Sequence, residues 1–192
     1  SPLVAATSNP GHTRISPGGV GRNVAACLGL LGTPVLLVSA VGDDAFGRWI
    51  RAVLEADGVD TIGLHIVDVP TGTAHIVVDA YGENSIVVIP GANGTVRTMS
   101  DDHRTAITTS DVLLLQLELS IEIVESAARW GAECGGTVVL TPAPVVPVTA
   151  DLLETVDLLV PNEHEAELLT GAHDPRTAAE TLLARGAPAV AV

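Results

Sequence analysis

The sequence predicts an α/β protein in which a mostly parallel sheet carries helices on both faces. From residue 111 onward, short apolar runs typical of buried strands alternate with segments whose apolar residues recur at helical spacing. Strands that alternate with helices pair in parallel, and a parallel sheet needs cover on both faces. The stretch 62–89 differs, because it contains three strand patterns and no helix, which indicates a β-rich insert. A chain of 192 residues with 47% hydrophobic content is long enough for one such domain.

The first half of the chain is predicted to run helix, strand, helix and then three short strands. The second helix begins at an aspartate cap, Asp43 or Asp44, and has an apolar face. That face comprises Phe46, Trp49, Ile50, Val53 and Leu54. The predicted bounds are helix 24–31, strand 34–41 and strands 62–68, 73–79 and 85–89, with a hairpin loop at 80–84.

The second half is predicted to contain four strands and four helices, with two successive helices before the last strand. Asp101 and Asp102 form an acidic pair at a further predicted helix start, where the helix dipole favours negative charge. The predicted strands are 111–117, 137–140, 158–160 and 189–192, and the predicted helices are 121–134, 149–156, 163–170 and 176–185.

Charge and cysteine content narrow the function classes. A formal net charge of −14 argues against nucleic acid and against anionic membranes as partners. All nine basic residues are arginine, so no mechanism within this chain can use a lysine. Cys27 and Cys134 lie far apart in helical patterns, and we expect buried free thiols in a reducing cytoplasm.

The run Gly18-Gly19-Val20-Gly21-Arg22-Asn23 precedes the first helix. Glycines let the backbone approach a ligand closely, and a helix start offers unpaired N–H groups. The amide of Asn23 both donates and accepts hydrogen bonds, which suits sugar hydroxyls. A tight turn explains the same glycines. A dinucleotide-binding loop does not fit, because the run lacks the G-x-G-x-x-G spacing.

Polar residues also follow the predicted strands of the second half, where ligands bind in open parallel sheets. Glu118 comes after an apolar strand and could accept hydrogen bonds from a polyol, or it could be a solvated carboxylate at a helix entry. Asn162 and Glu165 have the spacing of a capping box. That interpretation is compatible with a site for phosphate and hydrated Mg²⁺. His164 between them is expected to be a lone exposed histidine.

Together these segments resemble the ribokinase-like (PfkB) family of carbohydrate and nucleoside kinases. They occur in the family's order and at about its spacing, and they cover nearly the whole chain. They are GGVGRN at 18–23, SAVGDDAFG at 39–47, TGTAHIVVDAYGENSIVVIPGAN at 71–93, LLLQLE at 113–118, TPAP at 141–144 and PNEHEAELLTG at 161–171.

The resemblance implies one partial kinase domain over residues 1–192, with a small β-sheet lid built from about 1–16 and 62–92. The lid is expected to close over the sugar and to pair with its twin in a homodimer. The family's N-terminal strand and its GAGD-type motif are missing, so the general-base aspartate is expected beyond Val192 and the fragment alone to be inactive.

By motif match, Gly18, Gly19, Asn23 and Glu118 would bind the sugar. Asn162 would lie near the nucleotide phosphates, and Glu165 would organise Mg²⁺ through water. The implied cofactors are ATP and Mg²⁺, with a monovalent cation left open.

The implied activity is ATP-dependent phosphotransfer to a primary hydroxyl of a ribose-like sugar or nucleoside. GGVGRN departs from the usual ribokinase GGKGAN and is closer to pseudouridine kinases, as is Ser8-Asn9-Pro10-Gly11, whereas the later motifs favour ribokinase. Valine at position 20 removes a charged donor, and Arg22 is expected to place another near the sugar. The alternative is a non-catalytic module that binds a sugar or nucleoside.

Overall fold

A computed structural model describes residues 12–79 and 81–192. Its helices and strands follow each other in the predicted order, with one additional turn of 3₁₀ helix. The helices are α1 Val20–Leu30, α2 Ala45–Ala56, α3 Asp101–Thr108, α4 Ile121–Glu133, α5 Ala150–Thr155, α6 Glu163–Thr170 and α7 Pro175–Ala184. The strands are β1 Ser39–Gly42, β2 Leu64–Val67, β3 Thr73–Val78, β4 Asn84–Ile89, β5 Val112–Leu115, β6 Thr137–Leu140 and β7 Leu158–Leu159, and the 3₁₀ turn is Gly91–Thr95.

The strands form two parallel sheets and one antiparallel hairpin. β1 pairs with β2, and β6 lies between β5 and β7, all in parallel. β3 and β4 pair antiparallel over six residues each, with Ile76 opposite Ile86. The predicted fold class, parallel strands with helices and a small extra β-sheet, is confirmed. The parallel strands nevertheless fall into two sheets rather than one in the described residues.

Most of the core belongs to the second half of the chain. There, β5, β6 and β7 bury a cluster against α4, α5 and α7 whose members include Val138, Leu140, Leu152, Leu159 and Leu182. A second cluster, of Ala25, Leu54 and Val59, joins α1 to α2. The burial of these apolar side chains stabilises the β5–β7 sheet with its helices and the α1–α2 pair, which carry the candidate site.

Two strand predictions differ from the structure. The predicted strand 34–41 is a single parallel bridge at Leu36 followed by β1, which continues to Gly42. The predicted strand 189–192 is a single bridge between Val190 and Leu159. Each segment makes only a few backbone hydrogen bonds to its neighbour, such as Leu37 N–H to Asp60 and Ala191 N–H to Leu159.

The prediction that both cysteines are free thiols is confirmed, but the prediction that they are buried was wrong. Cys27 and Cys134 are exposed free thiols. Cys27 follows the buried pair Ala25 and Ala26 and lies outside that face of α1, and Cys134 is the C-terminal cap of α4, past its last packed turn. The predicted face of α2 is buried toward its C-terminal end at Leu54, whereas Phe46 and Trp49 remain exposed.

The β3–β4 hairpin projects apolar side chains into solvent. All six residues of β4 are exposed, as are five of the six in β3. The predicted lid segment 62–92 therefore contains this hairpin and β2, and residues 12–19 form no helix or strand. The predicted lid contribution of residues 1–11, including Ser8-Asn9-Pro10-Gly11, lies outside the described residues.

Candidate functional site

The start of α1 is capped by a side chain from a distant part of the sequence. Gly19 is the N-cap residue, with φ +102°, a backbone conformation that favours glycine. It has no side chain to satisfy the first N–H groups of the helix. Instead, the Val20 N–H donates to Oε1 of Glu118 at 3.3 Å. The helix dipole favours this carboxylate, because the N-terminal end of a helix carries partial positive charge.

Glu118 is half-buried and has one carboxylate oxygen aimed at the glycine run. A Cβ built on Gly19 would lie 3.6 Å from its Oε2. Any side chain at position 19 would thus occupy the space in front of this oxygen. The structure therefore brings Glu118 to Gly19 and Val20, on the helix end that the sequence singled out.

Asn23 is exposed one turn into α1, and its N–H donates to the carbonyl of Gly19 at 2.9 Å. Helix positions 19 and 20 share a face with position 23, so the Asn23 side chain starts from the same side of α1 as the Glu118 contact. Gly18 is exposed beside them. Arg22 lies elsewhere, since its Nη2 donates to Oδ2 of Asp57 at 3.1 Å. The expectation that Arg22 places a charge near the sugar is therefore wrong in this structure, because the ion pair holds it against the end of α2.

A cavity of about 750 Å³ begins beside this group and runs between β5 and the segment 33–39. Gly21, Gln116 and Glu118 line it, whereas Gly18, Gly19 and Asn23 do not. Most of its wall is apolar, which does not suit a polyol. A Cβ on Gly21 would lie 2.9 Å from Oε1 of Gln116, so glycine at this position lets Gln116 reach α1.

The carboxyl ends of β5, β6 and β7 lie side by side, as the sequence predicts. Thr141 N–H donates to the carbonyl of Leu115, and Val160 N–H donates to that of Leu140. The loops after the three strands therefore start at one edge of the sheet. Two strand spacings separate β5 from β7, which is about 10 Å. Glu118 and the start of α6 consequently belong to the same edge.

Asn162 and Glu165 form a complete capping box at the start of α6. The Asn162 side-chain oxygen accepts from Glu165 N–H at 2.8 Å, and Glu165 Oε2 accepts from Asn162 N–H at 2.9 Å. In addition, Asn162 Nδ2 donates to Glu165 Oε1 at 2.9 Å. Each carboxylate oxygen retains a lone pair for a water molecule. This donor set fits a hydrated Mg²⁺ bound through water, since magnesium keeps several of its waters in proteins.

The described part of the chain contains neither a cluster of metal-ligating side chains nor a helix that could span a membrane. Over residues 12–79 and 81–192, no group of three or more His, Cys, Asp or Glu side chains is placed to hold a metal ion. None of the described helices has both the length and the apolar character needed to cross a membrane.

Two anchoring residues were not identified from the sequence. Asn93 Oδ1 accepts from the Ser39 hydroxyl at 3.0 Å and from Ala40 N–H at 3.1 Å. Thr71 is buried and hydrogen-bonds to Asp44. Each of these polar residues lies within two positions of a glycine at one end of the hairpin, in Thr71-Gly72 and in Gly91-Ala92-Asn93. That pattern could have identified both residues.

Comparison with known proteins identifies the relatives of this fold and site. A family model described as pfkB family carbohydrate kinase matches residues 3–192. A ribokinase of Haemophilus influenzae is 38% identical over 172 residues, which is 85% of this chain and 56% of that protein. A deoxyribokinase of Salmonella typhi is 35% identical over 163 residues, covering 82% and 53% respectively. The chain thus spans about half the length of the curated relatives that it matches.

Solved structures give the same result. The structure of Arabidopsis thaliana ribokinase complexed with ribose and ATP matches with a TM-score of 0.81 and 31% identity. The match covers 90% of this chain and 58% of that one.

Proposed function

The chain belongs to the pfkB family of carbohydrate kinases, and we propose that the intact protein transfers the terminal phosphoryl group of ATP to a primary hydroxyl of a ribose-like sugar. One observation carries the proposal beyond the family. The carboxylate of Glu118 lies at the glycine-lined start of α1, beside the turn that bears Asn23. A carboxylate, an amide and backbone N–H groups on one side of a helix start can bind several hydroxyls of a small polyol.

The proposed sugar-binding residues are Gly18, Gly19, Asn23 and Glu118. Glycine at positions 18 and 19 leaves the backbone open to a ligand, and a Cβ at Gly18 would meet nothing within 4 Å. Glu118 uses Oε1 to cap α1, which leaves Oε2 to accept from a sugar hydroxyl. Hydrogen bonds to a charged acceptor are stronger than those between neutral groups, so Glu118 would contribute most to affinity.

The proposed phosphate end is the start of α6. Asn162 would lie near the nucleotide phosphates, and Glu165 would hold Mg²⁺ through water. When bound, Mg²⁺ neutralises charge on the transferred phosphoryl group. We place the general base outside these 192 residues, because the resemblance puts it in a motif beyond Val192. The similar proteins named above as ribokinases, one of them bound to ribose and ATP, support this substrate and cofactor.

The direct test is phosphorylation by the full-length protein of ribose, pseudouridine and adenosine with ATP. ADP release is followed, and the product is identified by mass. The proposal expects the highest kcat/KM with ribose. Pseudouridine as the preferred substrate would assign the protein to the C-nucleoside alternative raised by GGVGRN. Binding of ribose without ADP release would contradict the kinase proposal and support a non-catalytic binding module.

Two substitutions test the sugar-binding residues in the full-length protein. Asn23→Ala and Glu118→Ala should each lower kcat/KM for the sugar, and the loss of a hydrogen bond to a charged group corresponds to about 10- to 100-fold. Glu133→Ala removes an exposed carboxylate at the far end of α4 and serves as the matched control. If Glu118→Ala retained the wild-type kcat/KM, Glu118 would have no role in sugar binding.

A further inference from the structure

The β3–β4 hairpin joins the rest of the molecule through two short segments. The first segment, 68–72, leads from β2 into β3, and the second segment, 90–93, leads from β4 into the 3₁₀ turn. The two segments contact each other, because Ala92 N–H donates to the carbonyl of Pro70 at 2.9 Å. The hairpin beyond them is exposed on both strands. Its position is consequently set at this base.

Asp44 accepts three hydrogen bonds, two of which fix the first segment. Its Oδ2 accepts from Thr71 N–H at 2.8 Å, and its Oδ1 accepts from the Thr71 hydroxyl at 2.7 Å. The same Oδ1 accepts from Gly47 N–H at 2.7 Å, which caps α2. One carboxylate thus joins the first turn of α2 to the entry of the hairpin.

Thr71 continues the connection into β1. Its hydroxyl oxygen accepts from Gly42 N–H at 2.9 Å, and the residue is only 6% exposed. A Cβ on Gly42 would lie 2.7 Å from Thr71 N, and a Cβ on Gly47 would overlap the carbonyl oxygen of Gly42. The connection therefore requires glycine on both sides of Asp44, and both glycines are present.

The second segment is fixed to the other end of β1. Asn93 accepts from Ser39 and Ala40, as described above. Between the two fixed points lie Gly72 and Gly91, and a Cβ on Gly91 would meet the backbone of Gly72 at 2.8–2.9 Å. The base consists of two anchors on β1 with two touching glycines above them.

We propose that Asp44 is a positioning residue of the sugar kinase: its carboxylate holds Thr71 and thereby sets the hairpin in place over the sugar. This inference rests on the proposed function for the role of the hairpin. It assigns Asp44 a task that helix capping alone does not require, since capping uses one oxygen and the hold on Thr71 uses both.

The electrostatics of Asp44 agree with this geometry. The backbone N–H of Thr71, followed by the N–H of Gly47 and the hydroxyl of Thr71, lowers the pKa of Asp44 from 3.8 to about 2. The carboxylate is therefore ionised at every pH at which an enzyme of this kind is assayed, so both oxygens accept hydrogen bonds.

The test compares Asp44→Asn with wild type in the full-length protein. Asparagine caps helices about as well as aspartate, and its oxygen can still accept from Gly47. Its NH₂ group replaces Oδ2 and faces the Thr71 N–H, so the bond from the Thr71 backbone is lost, whereas the Thr71 hydroxyl can still donate to the remaining oxygen. Asp43→Asn is the matched control, because Asp43 is exposed and its side chain pairs with Arg48 on the surface.

Two measurements are made on each protein: amide hydrogen exchange and sugar kinetics. For Asp44→Asn we expect exchange of β3 and β4 amides to rise roughly tenfold, with the core amides of β5 and β6 unchanged. The sugar KM should rise about tenfold while kcat changes less than threefold. Asp43→Asn should match wild type in both measurements.

Two results would overturn the proposal. One is unchanged amide exchange of the hairpin in Asp44→Asn. The other is faster amide exchange throughout that variant, which would show that Asp44 has a purely structural role. If wild type shows no sugar phosphorylation, the proposed function fails. Selective exchange in the hairpin would still show the anchoring by Asp44 in that case. The two failures are therefore distinguishable.

Discussion

At the scale of single residues, the buried His103 predicts a fold that is sensitive to acid. It is 5% exposed at the start of α3, where its Nδ1 accepts from Ser100 N–H at 3.2 Å and lies 3.1 Å from His65 Nε2. Burial, followed by the nearby charge of His65, lowers the pKa of His103, while the Gly63 carbonyl and Asp102 oppose the shift. The folded protein therefore holds His103 neutral where the unfolded chain would protonate it.

This shift predicts a loss of stability in mild acid. A group whose folded pKa lies below its unfolded value of 6.5 binds protons more readily in the unfolded chain. The contribution of His103 to the free energy of unfolding should be fully present above pH 6.5 and should fall as the pH drops below that value. His103→Gln keeps a capping-box residue at this position and removes the titration, so its stability should depend less on pH between 7 and 5. Urea unfolding of the full-length wild type and of His103→Gln at pH 7 and pH 5 measures this. The same loss of unfolding free energy between the two pH values in both proteins would contradict the prediction.

Predictions at this scale succeeded where a residue acts locally and failed where its partner is distant in sequence. The capping box of Asn162 and Glu165 follows from spacing alone, and the structure contains it. Arg22 pairs with Asp57, 35 residues away, and no local pattern specifies that contact. The prediction that both cysteines are buried failed for a related reason. Helical periodicity predicts that a helix has a buried face, but not where that face ends.

At the scale of elements, α1 and α2 pack through a glycine. A Cβ on Gly29 would overlap the carbonyl oxygen of Asp57, so the backbones of the two helices approach closely. Gly29→Ala should destabilise the protein by about 1–3 kcal/mol through overpacking, although alanine favours helices. Gly21→Ala is the control, since its Cβ would lie too close only to the flexible end of Gln116 and would be in ordinary contact with Leu37. Thermal unfolding measures both, and equal stability of the two variants would contradict the close contact.

The start of α6 allows its structural and proposed chemical roles to be separated. Glutamine also serves at the third position of a capping box, so Glu165→Gln should unfold within about 0.5 kcal/mol of wild type. It lacks the negative charge proposed to hold Mg²⁺. Its kinase activity should therefore fall at least tenfold and recover in part at higher Mg²⁺. Wild-type activity at low Mg²⁺ would remove Glu165 from the proposed metal site.

The elements themselves were largely predictable, because strands of four or more apolar residues and capped helices have strong local patterns. The three-stranded sheet from β5 to β7 occurs where the alternation of strand and helix places it. The division of the parallel strands into two sheets was not predictable, since it depends on which strand edges meet rather than on any one segment.

At the scale of the whole molecule, we propose that the exposed hairpin is a dimer interface in the intact protein. Ile76 and Ile86 face each other in register and are 58% and 54% exposed. Ile86→Lys places a charge on this apolar face and should convert a dimer to a monomer. Ser85→Lys places the same charge on the opposite face of β4 and serves as the control. Sedimentation of the full-length proteins measures this, and a monomeric wild type or a dimeric Ile86→Lys would contradict the proposal.

The central claim is that the start of α1 and Glu118 together bind a furanose. Its most direct test is a crystal structure of the full-length protein with ribose. We expect ribose hydroxyls within about 2.7–3.2 Å of Glu118 Oε2 and of the Asn23 amide, with the ring against Gly18 and Gly19. Ribose bound elsewhere, with Glu118 contacting only Val20 N–H, would contradict the account.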